Sequence, residues 1–137
     1  SMEMHIGPLT GRDPQLPEQV YAYLNNPLLQ ETLSLIPLAT CFEYAADPLG
    51  YDPETSWEHV VGERFGIDTL PHWKTIREFC GLINKLKVKD QSPRISAEER
   101  PKLEAAHRYI LENRNERWFK EFLPWLDLLQ NSLRLDS

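Results

Sequence analysis

The 137-residue sequence has few cysteines and glycines and no long apolar run. Its two cysteines, Cys41 and Cys80, lie within apolar helical patterns, where a free thiol behaves as a small hydrophobic side chain. We therefore predict two buried thiols and not a disulfide. The six glycines form no Gly-rich loop, which argues against a phosphate-binding loop. No apolar stretch approaches the roughly 20 residues that a membrane span requires.

Basic residues are also under-represented, with 15 lysines and arginines against 21 acidic residues and a net charge of −6. Negative charge disfavours binding to nucleic acid or to an anionic membrane, so we expect neither as a partner. A neutral or cationic ligand matches this charge better. The 41% hydrophobic and 26% charged residues are typical of a globular protein, and the length suits one domain with a real core.

Asn26 and Pro27 mark the start of the first predicted helix. The Asn26 side chain can accept a hydrogen bond from a free first-turn N–H, and Pro27 fills the first helical position, where no donor is needed. The apolar pattern that follows, as far as Ala46, covers most of the helix circumference, which predicts a mostly buried helix. Pro37 removes one backbone hydrogen bond within this run, so we expect a kink there.

Two more helices are predicted by proline and glycine positions. Asp52 and Pro53 repeat the cap-plus-proline start, and Gly66 is well placed as the left-handed residue that ends this second helix. Pro71 lies near the start of a third, amphipathic helix that continues to about Leu86. The lysine-rich stretch that follows, to Arg94, is typical of a solvated connection.

The remaining sequence predicts a fourth and a fifth helix. Ser96 and Glu99 form a capping box before an apolar pattern that Asn113 to Asn115 interrupt. The last helix contains Pro124, which should bend or break it. Residues 1–17 hold five glycines and prolines and are predicted to be loop, while residues 18–24 allow either a strand or a brief helix. The predicted fold is an all-α bundle of about five helices preceded by a loop and a short extended segment.

Four tryptophans and four histidines are candidate functional residues. Indole faces can stack on sugar rings, but each tryptophan falls on an apolar helical stripe, which favours a place in the core: Trp57, Trp73, Trp118 and Trp125. The histidines are scattered, with no two at metal-ligand spacing on one helix: His5, His59, His72 and His107. We therefore predict no metal site and no cofactor.

An ordered set of short motifs resembles a known enzyme family. The motifs are residues 6–13 (IGPLTGRD), Asn26-Pro27 followed by Gln30 and Ser34, then Tyr44, and residues 51–57 (YDPETSW). In this order they resemble the end of glycoside hydrolase family 84, the bacterial O-GlcNAcase-like β-N-acetylglucosaminidases that are sometimes called hyaluronidases. The resemblance covers roughly the first half of the chain.

This resemblance implies a division of the chain and one substrate-binding residue. Residues 1–26 would be the end of a catalytic (β/α)₈-like barrel, with residues 18–24 as its last strand, and residues 27–137 would be a helical domain. Asn26 would lie at the active-site rim and hydrogen-bond a sugar hydroxyl; the competing interpretation is a plain N-cap. The family uses two adjacent catalytic aspartates, and this sequence has no Asp-Asp pair, so it should hold no catalytic residue.

Two functions are therefore expected. The first is structural support and partial substrate binding in a β-N-acetylglucosaminidase whose substrate is a glycan or glycoprotein containing N-acetylglucosamine. The Ser1-Met2 start resembles a remnant of expression cloning, which would mean that the chain is cut from a longer protein. We then expect it to be inactive alone. We also expect an apolar patch to be exposed, or to cause self-association, on the surface that faced the barrel. The second is a free-standing helical module that binds a peptide or another copy of itself.

Overall fold

The computed structural model of the protein describes residues 6–8, 32–33, 35–86 and 92–135. These residues form α-helices and one short 3-10 helix at Ile67–Thr69, and none of them is in a strand. The five α-helices are α1 (Leu35–Ala46), α2 (Pro53–Phe65), α3 (Leu70–Lys85), α4 (Arg100–Glu112) and α5 (Arg117–Arg134). The predicted all-α fold class is confirmed. None of the helices described is long and apolar enough to cross a membrane.

Residues 6–70 form one of two compact units. Helices α1 and α2 pack against each other in this unit. Its core consists of side chains that are at most 8% exposed: Ile6, Leu33, Ile36, Cys41, Trp57, Val60 and Val61. Cys41 is a free thiol, as predicted.

The start of α1 differs from the predicted helix. Thr32 and Leu33 lie in a turn, and the Leu35 N–H donates to the Thr32 carbonyl oxygen at 3.2 Å. The prediction that residues 32 and 33 are helical is therefore wrong, although the predicted helix start at Pro27 lies outside the described residues. Pro37 falls in the first turn of α1, where a missing N–H costs no intrahelical hydrogen bond. Pro37 thus helps to start a helix instead of kinking the middle of one.

Helix α2 begins and ends as predicted. The Asp52 carboxylate accepts hydrogen bonds from the Thr55 N–H at 2.8 Å and from the Thr55 hydroxyl at 2.7 Å, and Pro53 occupies the first turn. At the other end, Gly66 has a φ of 102°, and its N–H donates to the Gly62 carbonyl oxygen at 2.9 Å. A side chain is strained at this φ, which explains the glycine.

Residues 71–137 belong to the second compact unit, whose described part contains α4, α5 and all of α3 after Leu70. Its core is rich in aromatic and branched side chains that are at most 4% exposed: Trp73, Ile76, Phe79, Ile83, Ile95, Leu103, Ile110, Trp118, Phe122, Trp125 and Leu129. Cys80 is also buried, at 1% exposure, and is free. The predictions of core tryptophans and of free, buried cysteines are confirmed.

Three features predicted for the second unit can be compared with the structure: the Ser96–Glu99 pair, the interruption at residues 113–115 and the effect of Pro124. The Glu99 N–H donates to the Ser96 hydroxyl oxygen at 3.2 Å, and that hydroxyl donates to the Glu99 carboxylate at 3.0 Å. The first of these contacts is the one that a capping box predicts, whereas the second joins the two side chains and does not involve the Ser96 backbone N–H. Helix α4 itself begins one turn later, at Arg100. Residues 113–115 form the predicted interruption. Helix α5 continues through Pro124, so this exposed proline does not break it.

Candidate functional site

A polar cleft of about 280 Å³ lies in the first compact unit, where α1 ends and α2 begins. We call it the α1–α2 cleft. Its lining comes from α1, from the connecting turn and from the first half of α2: Glu43, Asp47, Gly50, Tyr51, Asp52, Thr55, Ser56 and His59. Ser56 and His59 are three residues apart on α2, so they share one helix face. That face is directed towards Glu43 of α1.

Glu43 is the centre of a hydrogen-bond network in the cleft. One carboxylate oxygen, Oε1, accepts a hydrogen bond from the Ser56 hydroxyl at 2.7 Å. The other, Oε2, lies 2.7 Å from Nδ1 of His59. Because both oxygens of this one side chain on α1 have partners on α2, Glu43 fixes the two helices at a specific register.

The ionisation of Glu43 reflects these contacts. Burial raises the pKa of its carboxyl group, but the hydrogen bonds from Ser56 and His59, together with the charge of His59, outweigh burial and lower the pKa below its ordinary value. The carboxylate form is thus the one that the network stabilises.

His59 also bonds to its own helix. Its Nε2 lies 3.1 Å from the Glu63 carboxylate, one turn further along α2. The hydrogen bond with Glu43 is the largest cause that raises the pKa of the imidazole, and the charges of Glu43 and Glu63 raise it further. The side chain is 55% exposed, so solvent screens these interactions in part.

Tyr51 and Asp52, which also line the cleft, have shifted pKa values as well. Burial raises the pKa of the Tyr51 phenol, which also interacts with the hydroxyls of Thr40 and Ser56. The hydrogen bonds from Thr55 lower the pKa of the exposed Asp52 carboxyl, because they stabilise its charged form. Both groups therefore favour their ordinary neutral-pH states, phenol and carboxylate.

The order of the hydrogen bonds decides what this network can do chemically. A serine nucleophile must donate its proton to a base such as histidine, which an acid then orients. Here the Ser56 hydroxyl donates to Glu43, and His59 contacts the other side of the same carboxylate. The geometry does not activate Ser56. It connects two helices and leaves carboxylate, hydroxyl and phenol groups at the mouth of the cleft, where they can hydrogen-bond a polar ligand.

Metal binding is not indicated in the part of the chain that the structure describes. No group of three or more histidine, cysteine, aspartate and glutamate side chains there is arranged to hold a metal ion. His5 lies outside the described residues.

Asn26, the predicted substrate-binding residue, also lies outside the described residues, as does the segment 18–24 predicted to be a strand. The role of Asn26 and the division at residue 26 therefore stay predictions.

The Glu43 network is a feature that sequence reasoning did not identify. Its partners are 13 and 16 residues away in the chain, and no short motif joins them. One signal was available, because Glu43 is the sole charged residue of α1 and stands in an otherwise apolar helix. A lone carboxylate in such a helix needs a partner, and Ser56 and His59 on one face of α2 could have been tested for that role.

Comparison with known protein families gives a match for the first part of the chain. The family model described as beta-N-acetylglucosaminidase matches residues 1–79, more than half of the sequence. The matched region includes Asn26, α1, α2 and the α1–α2 cleft, and it ends within α3. Neither the curated proteins nor the solved structures compared with this chain gave a match.

Proposed function

The chain belongs to the β-N-acetylglucosaminidase family, and on this premise we propose that it supports the catalytic barrel of a family 84, O-GlcNAcase-like glycosidase. In this proposal the chain is the C-terminal region of the enzyme, and residues 1–26 complete the barrel. The observation that carries the proposal is the family match over residues 1–79, which contains every motif of the resemblance in order.

The structural roles of the motif at residues 51–57 support this assignment. Tyr51 and Ser56 line the α1–α2 cleft, and Asp52 caps α2. The indole of the fully buried Trp57 donates to the backbone of Ile6, which lies in the first motif. Most of these side chains therefore serve to hold α1, α2 and the backbone at Ile6 together. That use suits a supporting region more than a catalytic one.

The reaction itself would depend on carboxylates outside this chain. In substrate-assisted hydrolysis the N-acetyl group of the sugar attacks the anomeric carbon, while enzyme carboxylates orient that group and move the proton. This chain would contribute Asn26, whose amide can donate to and accept from a sugar hydroxyl. The substrate would be a glycan or glycoprotein that carries N-acetylglucosamine, and no cofactor is needed for this chemistry.

The neighbouring asparagine provides a matched control for Asn26. In the full-length enzyme, Asn26→Ala should lower kcat/KM for a chromogenic N-acetylglucosaminide about tenfold or more, because one hydrogen bond to the substrate is lost. Asn25→Ala should retain near-normal activity, with circular dichroism confirming that both variants fold. Equal activities of the two variants would remove Asn26 from the substrate site.

A second measurement tests where the catalytic acids are. The purified 137-residue chain should not hydrolyse the same chromogenic substrate above background. Measurable hydrolysis that persists after repeated purification would contradict the proposed separation of support from catalysis.

The alternative function is a helical module that binds a peptide or a second copy of itself. The surface that such a module would use is an apolar face on α1, where Phe42 is 63% exposed and Leu35 is 38% exposed. These residues are seven positions apart, or about two helical turns, so they lie on the same side of the helix. In the supporting role, this face would be the surface that contacts the barrel.

Sedimentation velocity tests whether this face mediates self-association of the isolated chain. Association that increases with concentration and is weakened by Phe42→Glu would place self-contact on this face. Leu49→Glu is the matched control, because Leu49 is 92% exposed but lies in the turn after α1. A monomer at every concentration would argue against self-association.

A further inference from the structure

His59 lies between two carboxylates that come from different helices. Nδ1 is 2.7 Å from Oε2 of Glu43 on α1, and Nε2 is 3.1 Å from Oε1 of Glu63 on α2. Both ring nitrogens are thus within hydrogen-bonding distance of a carboxylate oxygen.

This geometry selects one protonation state of the imidazole. A neutral imidazole has one N–H donor and one acceptor nitrogen, whereas the imidazolium has two donors. A carboxylate can only accept, so a neutral His59 could bond one glutamate and would direct a lone pair at the other. Both contacts are satisfied together only when His59 is charged.

The other titratable groups that line the cleft also favour the charged form of His59. The turn between the helices contributes the carboxylates of Asp47 and Asp52 and the phenol of Tyr51 to the cleft. Among the residues that line the cleft, His59 is the sole basic side chain. The local charge is therefore negative on each side of the imidazole, from α1, from the turn and from α2.

We propose that His59 is a pH-dependent latch that holds α1 against α2. When charged, it joins Glu43 of α1 to α2 and also bonds Glu63. When it loses its proton, one of the two hydrogen bonds is lost, and the charge attraction between the helices disappears. The latch lies within the first compact unit and is independent of the proposed glycosidase role.

The direction of the pH effect follows from the raised pKa of His59. A group whose pKa is higher in the folded state stabilises that state fully below its unfolded pKa, which is about 6.5 for histidine. The stabilisation is lost as pH rises through the folded pKa. Because His59 is 55% exposed, we expect opening of α1 to become about two- to fivefold more frequent across this range, as for an exposed ion pair.

Nuclear magnetic resonance on the 137-residue chain tests the protonation state directly. The His59 signals, assigned with His59→Gln, should show a titration midpoint above pH 6.5, with both ring nitrogens protonated at pH values below that midpoint. A midpoint at or below 6.5 would overturn the proposal.

Two glutamate variants identify the origin of the effect. Glu43→Gln should lower the His59 midpoint and abolish the pH dependence of hydrogen exchange in α1, after correction for intrinsic exchange rates. Glu112→Gln makes the same charge change on α4 and should alter neither property. A latch is excluded if corrected exchange in α1 is independent of pH in the unmodified protein. If Glu43→Gln does not fold, the unmodified protein alone decides the outcome.

Discussion

The indole of Trp57 donates a hydrogen bond from Nε1 to the backbone carbonyl oxygen of Ile6 at 2.7 Å, across 51 residues of sequence. Both side chains are buried, at 0% and 2% exposure. A buried carbonyl group needs a donor, and the indole N–H provides one. This contact attaches the N-terminal segment to α2 and explains why Trp57 is a structural residue and not a platform for sugar stacking.

Replacing Trp57 by phenylalanine should therefore destabilise the protein by about 2 to 4 kcal/mol, because the variant leaves a small cavity and removes the indole donor from the buried Ile6 carbonyl. Urea unfolding measures the change. Leu49→Ala, at an exposed position, should change the free energy of unfolding by less than about 0.5 kcal/mol. A Trp57→Phe variant as stable as the parent would show that the Ile6 contact contributes little.

Tyr109 is predicted to stabilise the second compact unit through its hydroxyl group as well as its ring. The Trp73 indole N–H donates to the Tyr109 hydroxyl at 3.0 Å, and the Tyr109 ring stacks on Trp118 with centroids 5.8 Å apart. Tyr109→Phe keeps the ring and should cost about 1 to 2 kcal/mol. A double-mutant cycle with Trp73→Phe should give a coupling energy of about 1 kcal/mol, and strictly additive effects would contradict the hydrogen bond.

Arg100 is predicted to stabilise the C-terminal end of α5. Its guanidinium group, at the start of α4, donates to the carbonyl oxygens of Leu133 and Leu135, the latter at 2.6 Å. Leu133 lies in the last turn of α5, where carbonyl oxygens lack an intrahelical N–H partner, and a cation there also favours the helix dipole. Arg100→Gln should lower stability by about 1 to 2 kcal/mol and speed hydrogen exchange near residue 131.

Lys102→Gln is the control for Arg100→Gln, since this exposed lysine lies on the same helix. It removes an equal charge and should have little effect on either measurement. Similar losses in both variants would mean that charge alone, and not the two hydrogen bonds, is responsible.

The cysteines should be unreactive in the folded protein. Burial raises the pKa of the Cys80 thiol to about 12, and burial also raises the pKa of Cys41. Only the thiolate is a strong nucleophile, so a disulfide reagent at pH 8 should modify neither residue until the protein unfolds. In denaturant both should react. Rapid modification of Cys80 under native conditions would show that its surroundings open often.

Sequence patterns predicted those parts of the fold that depend on neighbouring residues. Asp52, Pro53 and Gly66 mark both ends of α2, and Ser96 pairs with Glu99, because each of these contacts is formed within one turn of the chain. The apolar periodicity likewise predicted that Trp73 and Trp118 are buried. Two predictions about prolines differ from the structure in part. Pro37 lies in the first turn of α1, where it suits a helix start, and α5 continues through Pro124 without a break, while the alternative prediction of a bend there stays a prediction.

By itself, the sequence determined the helical class, most helix ends and the membership of the core, since local sterics and the burial of one helix face set all three. Only tertiary structure decided which polar groups meet. The pairs Glu43–His59, Trp57–Ile6 and Arg100–Leu133 are 16, 51 and 33 residues apart in the sequence. Each pair forms because packed segments bring a donor and an acceptor within about 3 Å, and this depends on how the segments are oriented and not on any local pattern.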